Sequence, residues 1–309
     1  MMTNDSPQTL GSNPSADVPA IQEDRYILHR RFDRMGRLVG DEVMKTLFQS
    51  HVMVIGLGGV GSWAAESLAR SGVGRLTLVD FDEICITNAN RQLHALQGFV
   101  GQKKALVMAE RLKKINPQAQ VVGIPLFYNE ENAATIFRDR PDFVIDAIDN
   151  LTAKCHLIDF CRRNQLKIIT SAGSAAKLDP SRVRIVDLAQ TTVDPMAHQV
   201  RKILRQKYSF PEGKSFDVPC VFSDEEPIPS QELSYDQGQG FKCVCPQGQN
   251  NLHSCEHRPV IWGNASFVTG AFGLNMASWV VRNLRDQALA RIKKTDQDLG
   301  PQQSGDQNL

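Results

Sequence analysis

The sequence predicts an α/β fold, a Rossmann-like and mostly parallel sheet flanked by helices. Three observations carry that reading. HVMVIGLGGVGSWAAESLARSG, residues 51–72, runs from an apolar strand through a glycine-rich turn into a helix. Short apolar segments recur at 75–80, 120–125, 142–147 and 166–171, separated by helical patterns at 60–72, 102–115, 130–138 and 151–164. Acids stand at the ends of two of these strands, Asp80 with Asp82 and Asp146 with Asp149, where an α/β sheet presents its ligands.

Taken in order, residues 1–24 are polar, lack the apolar core of a signal segment and read as a disordered leader. The α/β core is expected over 25–207. It opens with the arginine-dense RYILHRRFDRMGRLVG and a helix at 41–48. Those arginines read either as a solvated surface or as phosphate-binding forks near an oligomer interface. Asn116-Pro117 ends one helix, and 182–188 and 195–207 add a strand and a basic helix. Residues 208–259 are rich in Pro, Gly, Gln and Ser and show almost no periodicity, which predicts an irregular Cys/His-containing insertion. Residues 260–296 should supply C-terminal helices that complete the core, and 297–309 a disordered tail. The stretch 260–281 carries no charge and is long enough to span a membrane. Asn264, Ser266, Thr269, Asn275 and Ser278 recur through it, favouring a buried helix from Ala265 over membrane contact.

The 309 residues hold 35 Lys+Arg against 34 Asp+Glu, which excludes a generally basic nucleic-acid coat but not a local patch. Of seven cysteines, four (Cys220, Cys243, Cys245 and Cys255) fall within one stretch of 36 residues. Without a signal segment they point to a reducing, cytoplasmic setting and to a candidate metal site.

The glycines Gly56, Gly58, Gly59 and Gly61 let backbone approach a phosphate at a helix N-terminus. Asp80 lies 24 positions after Gly56, where an acid would bind ribose hydroxyls. An NAD(P)-dependent oxidoreductase would explain that much. It leaves without a role the second acid Asp82, the polar run with Asn88, Asn90, Arg91 and Gln92, and the pair Lys103-Lys104. Arg91 and a lysine on one nucleotide would balance a triphosphate, or the charge developing at its α-phosphorus. Asp146 or Asp149 could hold Mg²⁺ bridging phosphate oxygens. Together these residues favour nucleotide phosphate chemistry over hydride transfer.

GLGGVG, LVDFD, NANRQ, GQKKA and DAIDN, in that order, resemble the ATP-dependent activating enzymes related to ubiquitin E1 and the molybdopterin- and thiamine-pathway adenylyltransferases. RFDRMGRLVG, NRQLHAL, KALVMAERLKKINP, DVPCVFSDE and GNASFVTGAFG extend the resemblance over roughly residues 28–285 to the tRNA threonylcarbamoyladenosine dehydratases within that group. The resemblance implies that Gly56, Gly58, Gly59 and Gly61 line the ATP phosphates and that Asp80 binds the ribose. Asp82, Asn88, Arg91, Gln92 and Lys104 would face the nucleotide, and Asp149 would be the Mg²⁺-associated acid. Arg34, with Arg37 as its rival, would cross from the partner subunit of a homodimer. The implied reaction is ligase-type: the threonyl carboxylate of N6-threonylcarbamoyladenosine, beside the anticodon of tRNA, is adenylated by ATP. The neighbouring carbamoyl group then closes on the activated carbonyl with net loss of water, helped by its intramolecular placement.

The remaining motifs leave alternatives. Cys220, in DVPCVFS, is either a thiol that takes an activated carboxylate or a buried cysteine. Cys243, Cys245 and Cys255, with His253 and His257, could bind zinc but lack the paired CxxC motifs of the adenylyltransferase relatives. Lys154, Arg162, Arg163 and Lys167, and Arg201, Lys202, Arg205 and Lys207, could grip an RNA backbone. Activation of a small sulfur-carrier protein, which would make that carrier a partner, and a non-catalytic scaffold that keeps its nucleotide as a structural ligand are the other functional readings.

Overall fold

The structure is a computed structural model and describes residues 30–233 and 262–298. Its centre is a seven-stranded sheet built on β1 (His51–Ile55), all five residues of which are buried. An apolar run covered on both faces is what a central parallel strand requires. β2 (Arg75–Val79), β3 (Gln120–Ile124), β4 (Phe143–Asp146), β5 (Lys167–Ser171), β6 (Val183–Asp187) and β7 (Pro219–Ser223) complete it in the order β3-β2-β1-β4-β5-β7-β6. Every pairing is parallel except β6 with β7.

Alternate strand residues feed two cores, as the two-residue period demands. Val52, Val54, Leu76 and Leu78 pack with α2 (Asp41–Gln49), α3 (Gly61–Arg70), α4 (Lys104–Ile115) and α8 (Ser266–Asp298). Met53, Ile55, Val79 and Val144 face α5 (Glu130–Ile136), α6 (Leu151–Arg163) and α7 (Pro195–Tyr208). α1 (Asp33–Val39) follows Phe32, which packs edge-on against Phe48. Asn116 caps the end of α4, while Asn150 and Asp194 accept amides at the starts of α6 and α7.

Two expectations are corrected. The 208–259 segment is not wholly irregular, because β7 lies inside it and sits between β5 and β6. Pro219 and the absence of alternation hide the strand: Cys220, Val221 and Phe222 are all buried, on both faces. The C-terminal apolar and charged segments are one continuous helix, α8, rather than separate pieces. Among the described residues no helix is long and apolar enough to cross a membrane. Residues 1–24 and most of 297–309 lie outside the described residues, as do Cys243, Cys245, Cys255, His253 and His257.

The strand order reverses between β1 and β4, so the turns after these two strands leave the carboxyl edge side by side. Such a switch point opens the crevice in which α/β sheets bind ligands. Register makes the neighbourhood close: Ile55 pairs with Asp146, and the Ala147 amide donates to the Ile55 carbonyl at 2.9 Å.

Candidate active site

The four glycines of the turn after β1 answer to different constraints. Gly56 has φ +88°, and a Cβ there would lie 2.6 Å from the Ala147 carbonyl oxygen, so both conformation and space require glycine. A Cβ on Gly61 would meet the Gly56 oxygen at 1.8 Å, and one on Gly59 would crowd Thr269 and Arg91 at 3.1–3.2 Å. At Gly58 the nearest atom would be Gln92 Nε2 at 4.0 Å, which leaves this position open to a ligand. α8 closes one side of the turn. A Cβ on Gly273 would stand 2.3 Å from the Val60 carbonyl, so the small residue lets α8 seat on the start of α3.

Asp80 ties the turn to the end of β2. Its Oδ2 accepts the Leu57 amide at 2.6 Å and its Oδ1 accepts the Asp82 amide at 2.8 Å. Burial, reinforced by the Asp82 charge and opposed by Lys104, pushes the Asp80 carboxyl above its ordinary range. Lys104, the first residue of α4, is 5 % exposed and donates from Nζ to Asp82 Oδ2 at 2.7 Å. Burial alone would lower its pKa; the summed fields of Asp80, Asp82 and Asp149 outweigh it and hold the ammonium above its usual value. Lys103 turns instead to the Phe81 carbonyl at 3.2 Å and Glu83 at 3.1 Å. Of the two lysines, the structure places Lys104 among the acids.

The polar run after β2 folds back over the glycines. Asn88 Oδ1 accepts the Cys85 amide at 3.1 Å, and Arg91 Nη1 donates to the Thr87 carbonyl at 3.1 Å and to Asn90 at 2.9 Å. Trp63 Nε1 holds the Arg91 carbonyl at 3.2 Å. His94, 1 % exposed, meets Gln92 Oε1 with Nε2 at 3.1 Å, while its Nδ1 has no partner among the described residues. Burial first, then Lys104 and Arg111, push its pKa down to about 3. The imidazole is therefore neutral, and because a carboxamide oxygen only accepts, Nε2 carries the proton.

The acid that ends β4 and the acid three residues beyond it have opposite fates. Asp146 is fully buried, accepting Lys154 Nζ at 2.7 Å, the Thr170 hydroxyl at 2.6 Å and, on its other oxygen, the Ile148 amide at 3.1 Å. Asp149 is exposed, and its carboxylate has no hydrogen bond or ion pair among the described residues. An open hard-oxygen donor close enough to act on Lys104 would suit Mg²⁺; Asp146, with both oxygens occupied, would not.

Lys154 is 1 % exposed and cannot grip RNA. Arg162 and Arg163 pair with Asp159, and Arg162 also donates to the Tyr208 carbonyl at the end of α7. With Lys167 at the start of β5, these side chains gather at the amino edge of the sheet, a helix length of about 20 Å from the glycine turn. Cys220 is fully buried in β7, and burial pushes its thiol up to about 12, away from the thiolate form. Arg34 is exposed on α1 and makes no hydrogen bond or ion pair among the described residues, while Arg37 pairs with Asp33 at 3.0 Å.

Sequence reasoning missed His94, Trp63 and the contact of Thr269 and Gly273 with the turn. The signals were present in NRQLHAL and in the small residues of GNASFVTGAFG, but they gain meaning only when α8 is seen across α3.

An α/β sheet with a glycine turn, buried acids and a buried lysine at its switch point defines a nucleotide-binding site of the E1-like type. The chain belongs to the ThiF family, whose model matches residues 32–298. It is similar to the tRNA threonylcarbamoyladenosine dehydratase of Bacillus subtilis, 40 % identical over 86 % of this chain and 99 % of that one. The dehydratase of Haemophilus influenzae is 39 % identical over 82 % and 93 %. Among solved structures, the Escherichia coli dehydratase in complex with AMP superposes with a TM-score of 0.73, 35 % identical over 84 % of this chain and 96 % of that one. The same enzyme in complex with ATP superposes with a TM-score of 0.72.

Proposed function

We infer that this chain is an ATP-dependent tRNA threonylcarbamoyladenosine dehydratase. The observation that carries this reading is the buried Lys104 held by Asp82 beside Asp80 and Asp149, next to the open Gly58, in a chain that matches dehydratases along nearly their whole length.

The nucleotide lies with its phosphates over Gly58 and its ribose toward Asp80. The threonyl carboxylate attacks the α-phosphorus, a new carboxylate oxygen–phosphorus bond forms, and pyrophosphate leaves. Lys104 and Arg91 stabilise the negative charge that gathers on the phosphate oxygens in that step, and because their positions are already fixed they need little reorganisation. Asp149 would hold Mg²⁺, which when bound neutralises phosphate charge and improves pyrophosphate as a leaving group. The carbamoyl group then closes on the acyl-adenylate and expels AMP. The nucleophile belongs to the substrate, so no enzyme thiol is needed, in keeping with a buried Cys220.

Arg34 and the exposed Leu38, at 77 %, are offered to a second copy of the chain in a homodimer. The test is mass analysis of nucleosides from threonylcarbamoylated tRNA incubated with enzyme and ATP·Mg²⁺ and handled mildly. Loss of one water from the modified nucleoside, with AMP formed, is expected. Pyrophosphate exchange that depends on a small carrier protein, with unaltered tRNA, would defeat the assignment.

A further inference from the structure

The ion pair between Lys154 and Asp146 has no part in the reaction as described, yet it is among the most deeply buried in the protein, at 1 % and 0 % exposure. Removing two charges from water costs more than their attraction generally returns, so a buried pair is weak grounds for stability; a job in positioning is the alternative to examine.

The geometry shows what is positioned. Lys154 lies in the first turn of α6 and reaches both Asp146 Oδ2, at 2.7 Å, and Thr170 Oγ1, at 3.1 Å. Thr170 is the register partner of Asp146 on β5 and donates to the same Oδ2 at 2.6 Å. The other oxygen, Oδ1, accepts the amide of Ile148. That peptide lies hard against the glycine turn: a Cβ on Gly56 would be 2.6 Å from the Ala147 oxygen and 3.0 Å from the Ile148 nitrogen. The turn 146–149 is thus gripped from the core by Asp146 and stopped from the other side by Gly56. Its last residue is Asp149.

We propose that Lys154 and Thr170 are positioning residues: they fix Asp146, and through it the turn that presents the Asp149 carboxylate to the nucleotide phosphates opposite Lys104. This rests on the assignment of Asp149 made above. Both side chains are buried, as is the Asp146 carboxylate through which they act.

The test uses full-length Lys154→Met, the milder Thr170→Val, Asp149→Asn and the double variant Lys154→Met/Asp149→Asn. Amide exchange of residues 147–150 without nucleotide, the Mg²⁺ concentration for half-maximal pyrophosphate release, kcat and AMP binding are measured for each. Lys154→Met should speed exchange in the turn, raise the Mg²⁺ requirement several-fold and lower kcat on the order of tenfold or more, with AMP affinity within about twofold. Thr170→Val should do the same to a smaller degree, and it carries the test if Lys154→Met does not fold. The double variant should be no slower than Asp149→Asn alone, because two residues acting through one group do not add. Losses that multiply, or exchange in 147–150 that stays as slow as in the unaltered enzyme, would overturn the positioning role. An Asp149→Asn enzyme with unaltered Mg²⁺ dependence overturns the Asp149 assignment instead, and the purpose of the turn with it.

Discussion

Asp80 accepts the Leu57 backbone amide at 2.6 Å, so the carboxylate at the end of the second strand holds the turn that follows the first. One side chain therefore shapes the glycine turn, in addition to the ribose contact proposed for it. Asp80→Ala should leave the Leu57 and Asp82 amides unsatisfied and cost about 1–3 kcal/mol of stability per group left without a partner. AMP titration should show loss of binding, and thermal melting should show a lowered Tm. Binding unaffected by the change would separate Asp80 from the nucleotide.

Gly58 and Gly61 should respond oppositely to alanine. Gly61→Ala drives a methyl into the Gly56 carbonyl, and the fold should lose about 2 kcal/mol or more. Gly58→Ala meets open space, so its melting curve should overlay the unaltered protein while ATP affinity falls. Circular dichroism melts and ATP titration distinguish the two.

Lys104→Met removes a cation from among Asp80, Asp82 and Asp149. Adenylation should fall by about 10²–10³, the cost of losing one oriented charge donor. Lys104→Arg should not rescue it, since a planar fork does not fit a buried point-charge site. Pyrophosphate release in single turnover measures the step directly.

His94 sets an acid limit on stability. Its pKa is about 3 when folded and 6.5 at its ordinary value, so below pH 6.5 the unfolded chain binds a proton that the folded one refuses. Stability contributed above pH 6.5 is lost as the pH falls toward 3, by about 1.4 kcal/mol already at pH 5.5. Urea unfolding of His94→Gln from pH 7.5 to 5 should show a shallower fall than the unaltered protein.

Cys220→Ala should keep tRNA turnover close to that of the unaltered enzyme. Its cost is packing, about 1 kcal/mol for a small buried side chain. Turnover abolished in a well-folded variant would restore a covalent role to the thiol.

The sequence by itself determined the alternation of strands and helices from β1 through α7 and the place of the glycine turn after β1. Those features are local: apolar period, glycine spacing and capping residues act within a few positions of each other. Asp80, Lys104 and Asp149, which we propose meet the nucleotide, were legible as candidates for the same reason, each standing at a strand end or just at a helix start. Tertiary structure alone decided which of the two acids, Asp146 at the end of β4 or Asp149 beyond it, is left open. Asp146 and Asp149 differ by three positions and share a chemistry, but Thr170 and Lys154 approach only one of them. It likewise moved Lys154 from the surface to the core, and made a strand of β7, whose pairing with β5 and β6 no local pattern encodes. Burial and pairing are properties of what the rest of the chain brings near, and that is where composition and spacing stop deciding.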